Sequence, residues 1–189
     1  MAIEENFLEA VKKIREQESK TENKRNFEQT LDLIINLKAF DVKKNAFSII
    51  IQLPNRIRDK KIAGFFEKEN KFIESIKKDD FAKFKDKRDI KKFIKKYDFF
   101  IANAKLMPTI ATTFGRYLGG AGKMPSPQLG IITEENEKII KEMIDKINSS
   151  LRIRVKEPTI KLGIGKVNLD DKKIVENLAF VYKKILETL

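Results

Sequence analysis

The spacing of apolar residues changes from helical to alternating early in the chain. Residues 3–17 carry apolar side chains every three or four positions, which predicts an amphipathic helix with one buried face. Residues 27–38 then alternate between apolar and polar side chains, which predicts a half-buried strand. A polar turn leads to a second predicted strand that stops at Pro54, and we expect the two strands to form one long antiparallel pair.

Strands and helices alternate after Pro54. The predicted strands cover residues 60–66 and 98–104, and the predicted helices cover residues 88–97, 107–119 and 133–150. Between the first of these strands and Lys78 we expect helical, basic chain, and we assign Thr133 as the N-cap of the third helix. This alternation predicts a small parallel sheet packed against helices.

The end of the chain returns to the pattern of its beginning. The predicted strands cover residues 152–156 and 159–167, and the predicted final helix starts near Asp171. We therefore predict an α/β protein (α+β plus α/β) of two domains. One is a discontinuous, split α+β sandwich built from residues 1–55 and 149–189, and the other is an inserted, Rossmann-like three-layer α/β domain at residues 56–148. Two connecting segments predict a hinge between the domains.

The residue types that are missing exclude several kinds of chemistry. The chain has no histidine and no cysteine, which removes Ser-His-Asp catalysis, thiol catalysis, Cys/His zinc sites and disulfides. Its carboxylates are not spaced like a calcium loop or a two-metal site. No apolar run approaches the roughly 20 residues that span a bilayer, and no signal peptide is recognisable. We expect a cytoplasmic protein in which only carboxylates, Lys, Tyr and Ser/Thr remain for acid–base chemistry.

The net charge of +12 favours a polyanionic partner. The alternative is a composition bias in which lysines solvate helix faces. Residues 150–166 carry five basic side chains against Glu157 alone. Since this segment is strand-like, helix solvation does not explain all of its charge, and nucleic-acid binding is the favoured interpretation.

The stretch "YLGGAGKMPSPQLG" at residues 117–130 contains a glycine-rich turn with a lysine. A phosphate-binding P-loop needs G-x-x-x-x-G-K followed by Ser or Thr. Here Tyr117 stands at the first glycine position and Met124 follows the lysine, and the dinucleotide pattern G-x-G-x-x-G fails as well. The stretch is better interpreted as a rigid basic turn than as a nucleotide loop.

Four stretches resemble one family in the family's own order. They are "KRNFEQTLDLIINLK" at 24–38, "DFFIANAKLMPTI" at 98–110, "GRYLGGAGKMPSP" at 115–127 and "IKLGIGKVNLDDKKIVENL" at 160–178. Together they resemble the first protein of the large ribosomal subunit, the stalk protein beside the tRNA exit site, in its archaeal and eukaryotic branch. The resemblance spans most of the chain and both predicted domains.

The resemblance implies a ribosomal protein, not an enzyme, without a cofactor, metal or membrane partner. Its discontinuous domain would bind a stem-loop region of large-subunit rRNA. In the family the stalk moves with the departing tRNA, so the exit-site tRNA is an implied partner. Some members also repress translation of their own mRNA, which is a third implied partner. One copy per ribosome and a free monomer are expected on the same basis.

The family's RNA contacts fall on two segments of this sequence. The implied contact residues are Lys24, Arg25, Phe27, Gln29 and Thr30 in the first strand, and Lys161, Gly163, Gly165 and Lys166 in the later strand and turn. Cations neutralise phosphates, an aromatic ring stacks on a base, and glycines let backbone amides approach the RNA. The alternatives are that Phe27 is a core residue, that the two glycines serve a bulge and that the lysines are solvated strand charges.

Arg116 and Lys123 are implied secondary RNA contacts, although a structural role for this loop is an equal alternative. The chain departs from the family in two places. It reads "GGAG" where relatives commonly have a proline and an arginine between the glycines, which weakens an RNA contact there. Relatives usually continue beyond the last helix into a strand bearing Thr-Met-Gly that lies on the RNA, whereas this sequence ends "KKILETL". We expect lower RNA affinity without that strand.

Two other functions remain as alternatives to the ribosomal one. A nucleotide-binding α/β enzyme would need a phosphate loop and an acidic residue for the ribose, and neither pattern is present. A generic basic protein would bind any polyanion or membrane surface according to charge alone.

Overall fold

The computed structural model describes residues 2–20, 27–84 and 86–189. Its helices are α1 (Ala2–Lys20), α2 (Val42–Asn45), α3 (Lys87–Lys96), α4 (Met107–Ala121), α5 (Glu137–Ser149) and α6 (Asp171–Thr188). Its strands are β1 (Thr30–Asn36), β2 (Ser48–Gln52), β3 (Ile62–Phe65), β4 (Glu74–Ile76), β5 (Phe99–Asn103), β6 (Ile131–Ile132), β7 (Ser150–Arg154) and β8 (Thr159–Lys166). Two 3-10 helices cover Lys78–Lys83 and Ala104–Leu106. The predicted α/β class is confirmed.

The chain divides into two compact units. One, here called the split unit, combines Met1–Arg58 with Ser149–Leu189, and the other, the inserted unit, consists of Asp59–Asn148. Each unit has its own hydrophobic core.

The strands of the split unit form two antiparallel ribbons. β1 pairs with β8, and β2 pairs with β7. The prediction that the first two strands pair with each other is therefore wrong. A short helix, α2, separates them and is capped by the Asp41 side chain, which accepts a hydrogen bond from the Lys43 N–H at 3.0 Å. Each of the two strands instead takes a partner from the far end of the sequence, and such non-local pairing leaves no sign in local periodicity.

Helices α1 and α6 pack together over the inward faces of these strands. The core includes Val11 of α1 and four residues of α6 at helical spacing, Ile174, Leu178, Val181 and Ile185. The final helix is thus confirmed, and this helical spacing forms its buried face. Arg15 also joins the two helices, because its Nε donates to Asp171 Oδ1 at 2.5 Å while its other nitrogens donate to the carbonyls of Val167 and Leu169.

The inserted unit has a parallel four-stranded sheet in the order β4-β3-β5-β6. A cluster of aromatic rings fills its core. The Phe65 ring is stacked on the Phe100 ring and tilted against the Phe114 ring, with distances between ring centroids of 5.7 and 5.4 Å. The predicted parallel layer is confirmed. The expectation of helical chain as far as Lys78 is wrong, because Glu74–Ile76 pairs with β3 as an edge strand.

Helix α5 begins later than predicted. Asn136, not Thr133, occupies the capping position, since its Oδ1 accepts from the Lys138 N–H at 3.2 Å and its carbonyl accepts from the Ile140 N–H at 3.0 Å. Pro108 lies in the first turn of α4, where a missing backbone N–H costs the helix no hydrogen bond. None of the described helices combines the length and apolarity needed to cross a membrane.

Candidate RNA-binding face

The outward side of the β1–β8 ribbon gathers residues from both predicted contact segments. Cross-strand partners on this side are Thr30 with Lys166, Asp32 with Gly163, Ile34 with Lys161, and Asn36 with Thr159. We call these eight residues the ribbon face. The alternating burial of β1 places its other side chains against the core, so the ribbon face points away from it.

A register shift in the middle of the ribbon gives the two glycines different surroundings. Leu31 pairs with Gly165 and Asp32 with Gly163, which leaves Ile164 as an extra residue of β8. A Cβ on Gly163 would lie 3.0 Å from Thr30 Cγ2 on the ribbon face, whereas a Cβ on Gly165 would lie 3.1 Å from Ile174 Cγ1 of α6. The two glycines therefore flank a β-bulge at Ile164, and Gly165 is turned towards the core.

Phe27 lies just before β1 and is 66% exposed. The alternative that it is a core phenylalanine is therefore wrong. Ile34, in the middle of the ribbon face, is 60% exposed. Two large apolar side chains are thus available beside the cations of this surface. Lys24 and Arg25 lie outside the described residues.

Gln29 and Lys166 make contacts within the split unit. The Gln29 Nε2 donates to Glu18 Oε1 at 2.9 Å, and its carbonyl accepts from the Val167 N–H at 3.0 Å. The Lys166 Nζ donates to the Glu28 carbonyl at 3.3 Å and lies 3.7 Å from the Glu28 carboxylate. The Gln29 side chain therefore ties the start of β1 to α1, and the Gln29 carbonyl and the Lys166 side chain hold the start of β1 against the end of β8. The exposed Lys161 extends from the surface.

Lys123 has a structural role in the inserted unit. Its Nζ donates to the carbonyls of Ile94 and Tyr97, at 2.9 and 2.6 Å, and so neutralises the C-terminal end of α3. The preceding Gly122 has a φ of 68° and ends α4, which explains the glycine in this turn. Arg116 instead lines a shallow cleft with Lys87, Lys91 and Tyr117.

The edge of the parallel sheet where an α/β fold would bind a ligand is filled by the protein itself. The Glu135 carboxylate accepts hydrogen bonds from the Glu67 and Lys68 N–H groups at 2.8 and 3.0 Å, and from Asn103 Nδ2 at 2.7 Å. These donors follow or end β3 and β5, so the carboxylate occupies the position where such sheets hold an anionic ligand. Across the part of the chain that the structure describes, no group of side chains has the arrangement of a metal site.

Comparison with known protein families matches residues 14–189 to the Ribosomal protein L1p/L10e family. The chain belongs to this family. The resemblance predicted from its sequence is confirmed, and so is the expectation that it is not an enzyme, because the family is one of structural ribosomal proteins.

Several archaeal proteins are similar to this L1p/L10e family member over nearly their whole length. The large ribosomal subunit protein uL1 of Nanoarchaeum equitans is 37% identical over 193 residues, which cover 96% of this chain and 88% of that protein. The uL1 proteins of Methanothermobacter thermautotrophicus and Thermococcus kodakarensis are 32% and 34% identical, each over 97% of this chain and 87% and 86% of their own lengths. The chain is thus of the archaeal type.

Sequence reasoning overlooked two features of this family member. Asp32, Ile34 and Asn36 share the ribbon face with the expected residues, and the alternation of β1 alone was sufficient to place them there. Glu135 could not be recognised, because its three donors come from distant parts of the sequence.

Proposed function

We propose that this chain, a structural constituent of the large ribosomal subunit, binds large-subunit rRNA in the mobile stalk and assists the release of deacylated tRNA from the exit site. It acts on the ribosome in the cytoplasm, as one copy, and is a monomer when free. Family membership supports the ribosomal role, and the net charge of +12 supports an RNA partner.

The observation that carries the RNA-binding part is the composition of the ribbon face. Thr30 and Lys161 offer a hydroxyl and an ammonium group to the sugar-phosphate backbone, and Gly163 leaves the strand without a side chain between them. Phe27 beside them exposes a ring on which an unpaired base can stack. Cations, a bare backbone segment and a free aromatic ring together suit an irregular RNA stem better than a lipid surface or a protein.

The same surface gives a physical basis for repression of translation. An mRNA segment that folds like the rRNA stem would present the same phosphates and unpaired base to the ribbon face. Free protein would then bind its own message once the rRNA sites are filled. The two RNAs would compete for the protein, because both would use one surface.

The test is a comparison of two RNAs of equal length, the stalk segment of large-subunit rRNA and an unrelated hairpin, at several salt concentrations. We expect a lower Kd for the stalk segment, with a preference that persists as salt rises, because base stacking and shape recognition are less sensitive to salt than phosphate contacts. Equal Kd values that weaken together as salt rises would overturn the proposal and favour a generic polyanion-binding protein.

A thermal-shift control tests the enzyme alternative. Because the ligand edge of the parallel sheet is filled by Glu135, ATP, GTP and NAD should leave the melting temperature unchanged. A rise that saturates with nucleotide concentration would favour a nucleotide-binding protein instead.

A further inference from the structure

A cleft between two helices of the inserted unit gathers positive charge around one aromatic ring. Among the described residues, those that line it are Lys87 and Lys91 of α3 and Arg116 and Tyr117 of α4. We call these four residues the helical cleft. Its volume is about 320 Å³, at the lower end of the roughly 300–1,000 Å³ that ligand sites enclose. A space of this size suits one nucleotide-sized group rather than a segment of protein.

Packing against the core holds both walls of the helical cleft in place. Each helix buries two residues in the same core cluster, namely Ile90, Ile94, Phe114 and Leu118. Lys87 and Lys91 are four positions apart, so they share one face of α3, and both are exposed. Tyr117 is half-buried and packs against the same cluster. The lysines are therefore free to follow a ligand, whereas the tyrosine ring offers it a fixed surface.

No carboxylate of the described residues pairs with the cations of the helical cleft. Within that part of the chain, Lys87, Lys91 and Arg116 form no ion pair, and the Tyr117 hydroxyl makes no hydrogen bond. Asp89, the acidic residue of α3, is two positions from each lysine and so lies on another side of the helix. Three cations around one cleft create a positive potential that an anion would lower.

We propose that the helical cleft binds one unpaired nucleotide of an RNA strand, with the base against Tyr117 and the flanking phosphates on the three cations. Cations beside an aromatic ring are the combination with which proteins hold single-stranded nucleic acid. A membrane surface would instead require apolar side chains that insert into it. Phe72 is the only large apolar side chain that is exposed among the described residues of the inserted unit, and it does not line the cleft.

The helical cleft is a different site from the ribbon face. None of the eight ribbon-face residues lines the cleft, and the two sets belong to different units of the chain. Binding at one site therefore uses none of the residues of the other. This inference rests on the proposed function, because it assumes that RNA is the ligand of this chain.

The test titrates a labelled oligouridylate of about ten nucleotides, a length that such sites cover, onto an equimolar complex of the full chain with the stalk rRNA segment. Fluorescence anisotropy gives the Kd of the oligouridylate at several salt concentrations. The variant Lys87→Gln with Lys91→Gln removes two charges of the cleft. The matched control, Arg88→Gln with Lys92→Gln, removes two exposed charges at the same spacing from another side of α3.

We expect the lysine double variant to weaken binding about 3- to 30-fold and to reduce the slope of log K against log salt by about 0.7 for each lost phosphate contact. The control should change both by much less. Tyr117→Leu should raise the Kd about 5- to 150-fold, because a stacked base loses its ring, whereas Tyr117→Phe should keep the wild-type value. If Tyr117→Leu lowers the melting temperature, the exposed Arg116→Gln replaces it and should reduce the slope by about 0.7 at an unchanged melting temperature.

Equal losses in the lysine double variant and its control would overturn the inference, because net charge alone would then matter. Oligouridylate that does not bind the wild-type complex, or a wild-type Kd in a stable Tyr117→Leu variant, would overturn it as well. Binding to phosphatidylglycerol vesicles that falls more than oligouridylate binding in the lysine double variant would favour a membrane surface instead. Failure of the proposed function gives a different result, in which the wild-type protein shows no preference for the stalk segment over an unrelated hairpin.

Discussion

Replacing Lys123 by methionine separates a structural role from an RNA contact. The variant keeps most of the aliphatic stem and removes the ammonium group, which donates to the carbonyls of Ile94 and Tyr97. These carbonyls end α3 and have no partner in the helix beyond it. The change therefore removes two charged hydrogen bonds and one favourable charge at the negative end of a helix.

The cost follows from these contacts. A hydrogen bond to a charged group contributes about 1.5–3 kcal/mol when its partner is buried, and a cation at a helix C-terminus about 0.3–1 kcal/mol. Because Lys123 is only partly buried, water regains some access to the carbonyls, and we expect a loss of about 2–3 kcal/mol. For a unit of this size that corresponds to a fall of about 10 °C or more in melting temperature.

The assay must report on the inserted unit alone. The chain has three tyrosines, of which Tyr97 and Tyr117 belong to the inserted unit and Tyr182 to the split unit. In a Tyr182→Phe background, tyrosine fluorescence during urea or thermal unfolding follows the inserted unit. Lys92→Met, an exposed lysine on the same helix α3 as the two carbonyls, is the matched control. Equal stability of Lys123→Met and the control would rule out the structural role of Lys123, most clearly if Lys123→Met also lost RNA affinity.

Two further predictions concern packing and pH. Gly165→Ala should lower the free energy of unfolding in urea by about 1–2 kcal/mol, because the new Cβ would lie 3.1 Å from the fully buried Ile174. Gly163→Ala should leave it nearly unchanged, because the exposed Thr30 methyl group can move. Equal effects would contradict the assignment of the two glycines. The hydrogen bond from Tyr97, together with that from Lys96, lowers the pKa of the Glu74 carboxyl in the folded protein. The ionised carboxylate therefore stabilises the fold above its pKa in the unfolded chain, and this stabilisation is lost as the pH falls through its pKa in the folded protein. The wild-type protein should therefore have a higher melting temperature than Glu74→Gln near pH 7, and the two melting temperatures should become equal below about pH 4. A difference in melting temperature that does not depend on pH would contradict this.

Local periodicity predicted the elements of this protein better than it predicted their pairing. The stripe of Ile174, Leu178, Val181 and Ile185 follows directly from helical spacing, and the buried strand at Phe99–Asn103 follows from a continuous apolar run. The pairing of β1 with β8 and of β2 with β7 depends on contacts between residues more than 90 positions apart, about which periodicity says nothing. Proximity in sequence favoured the wrong hairpin.

The candidate site shows the same division. The segments that carry Phe27, Thr30, Lys161 and Gly163 were found from the sequence and are brought together by one ribbon. The orientation of Gly165 was not predictable, because the extra residue Ile164 shifts the alternation of β8 by one position. Lys123 was also ambiguous, since its partners are two backbone carbonyls that no sequence motif reveals.

Substitution of Phe27 tests directly whether the outward surface of the split unit at β1 and β8 binds rRNA. Phe27→Ala removes an exposed ring beside the ribbon face, and Phe72→Ala, a matched control, removes an exposed ring from the inserted unit; the two rings are 66% and 42% exposed. Because stacking contributes about 1–3 kcal/mol per base, Phe27→Ala should raise the Kd for the stalk rRNA segment about 5- to 150-fold. Its melting temperature should not change. Phe72→Ala should leave the Kd near the wild-type value. Equal Kd values for the two variants would contradict RNA binding by the ribbon face.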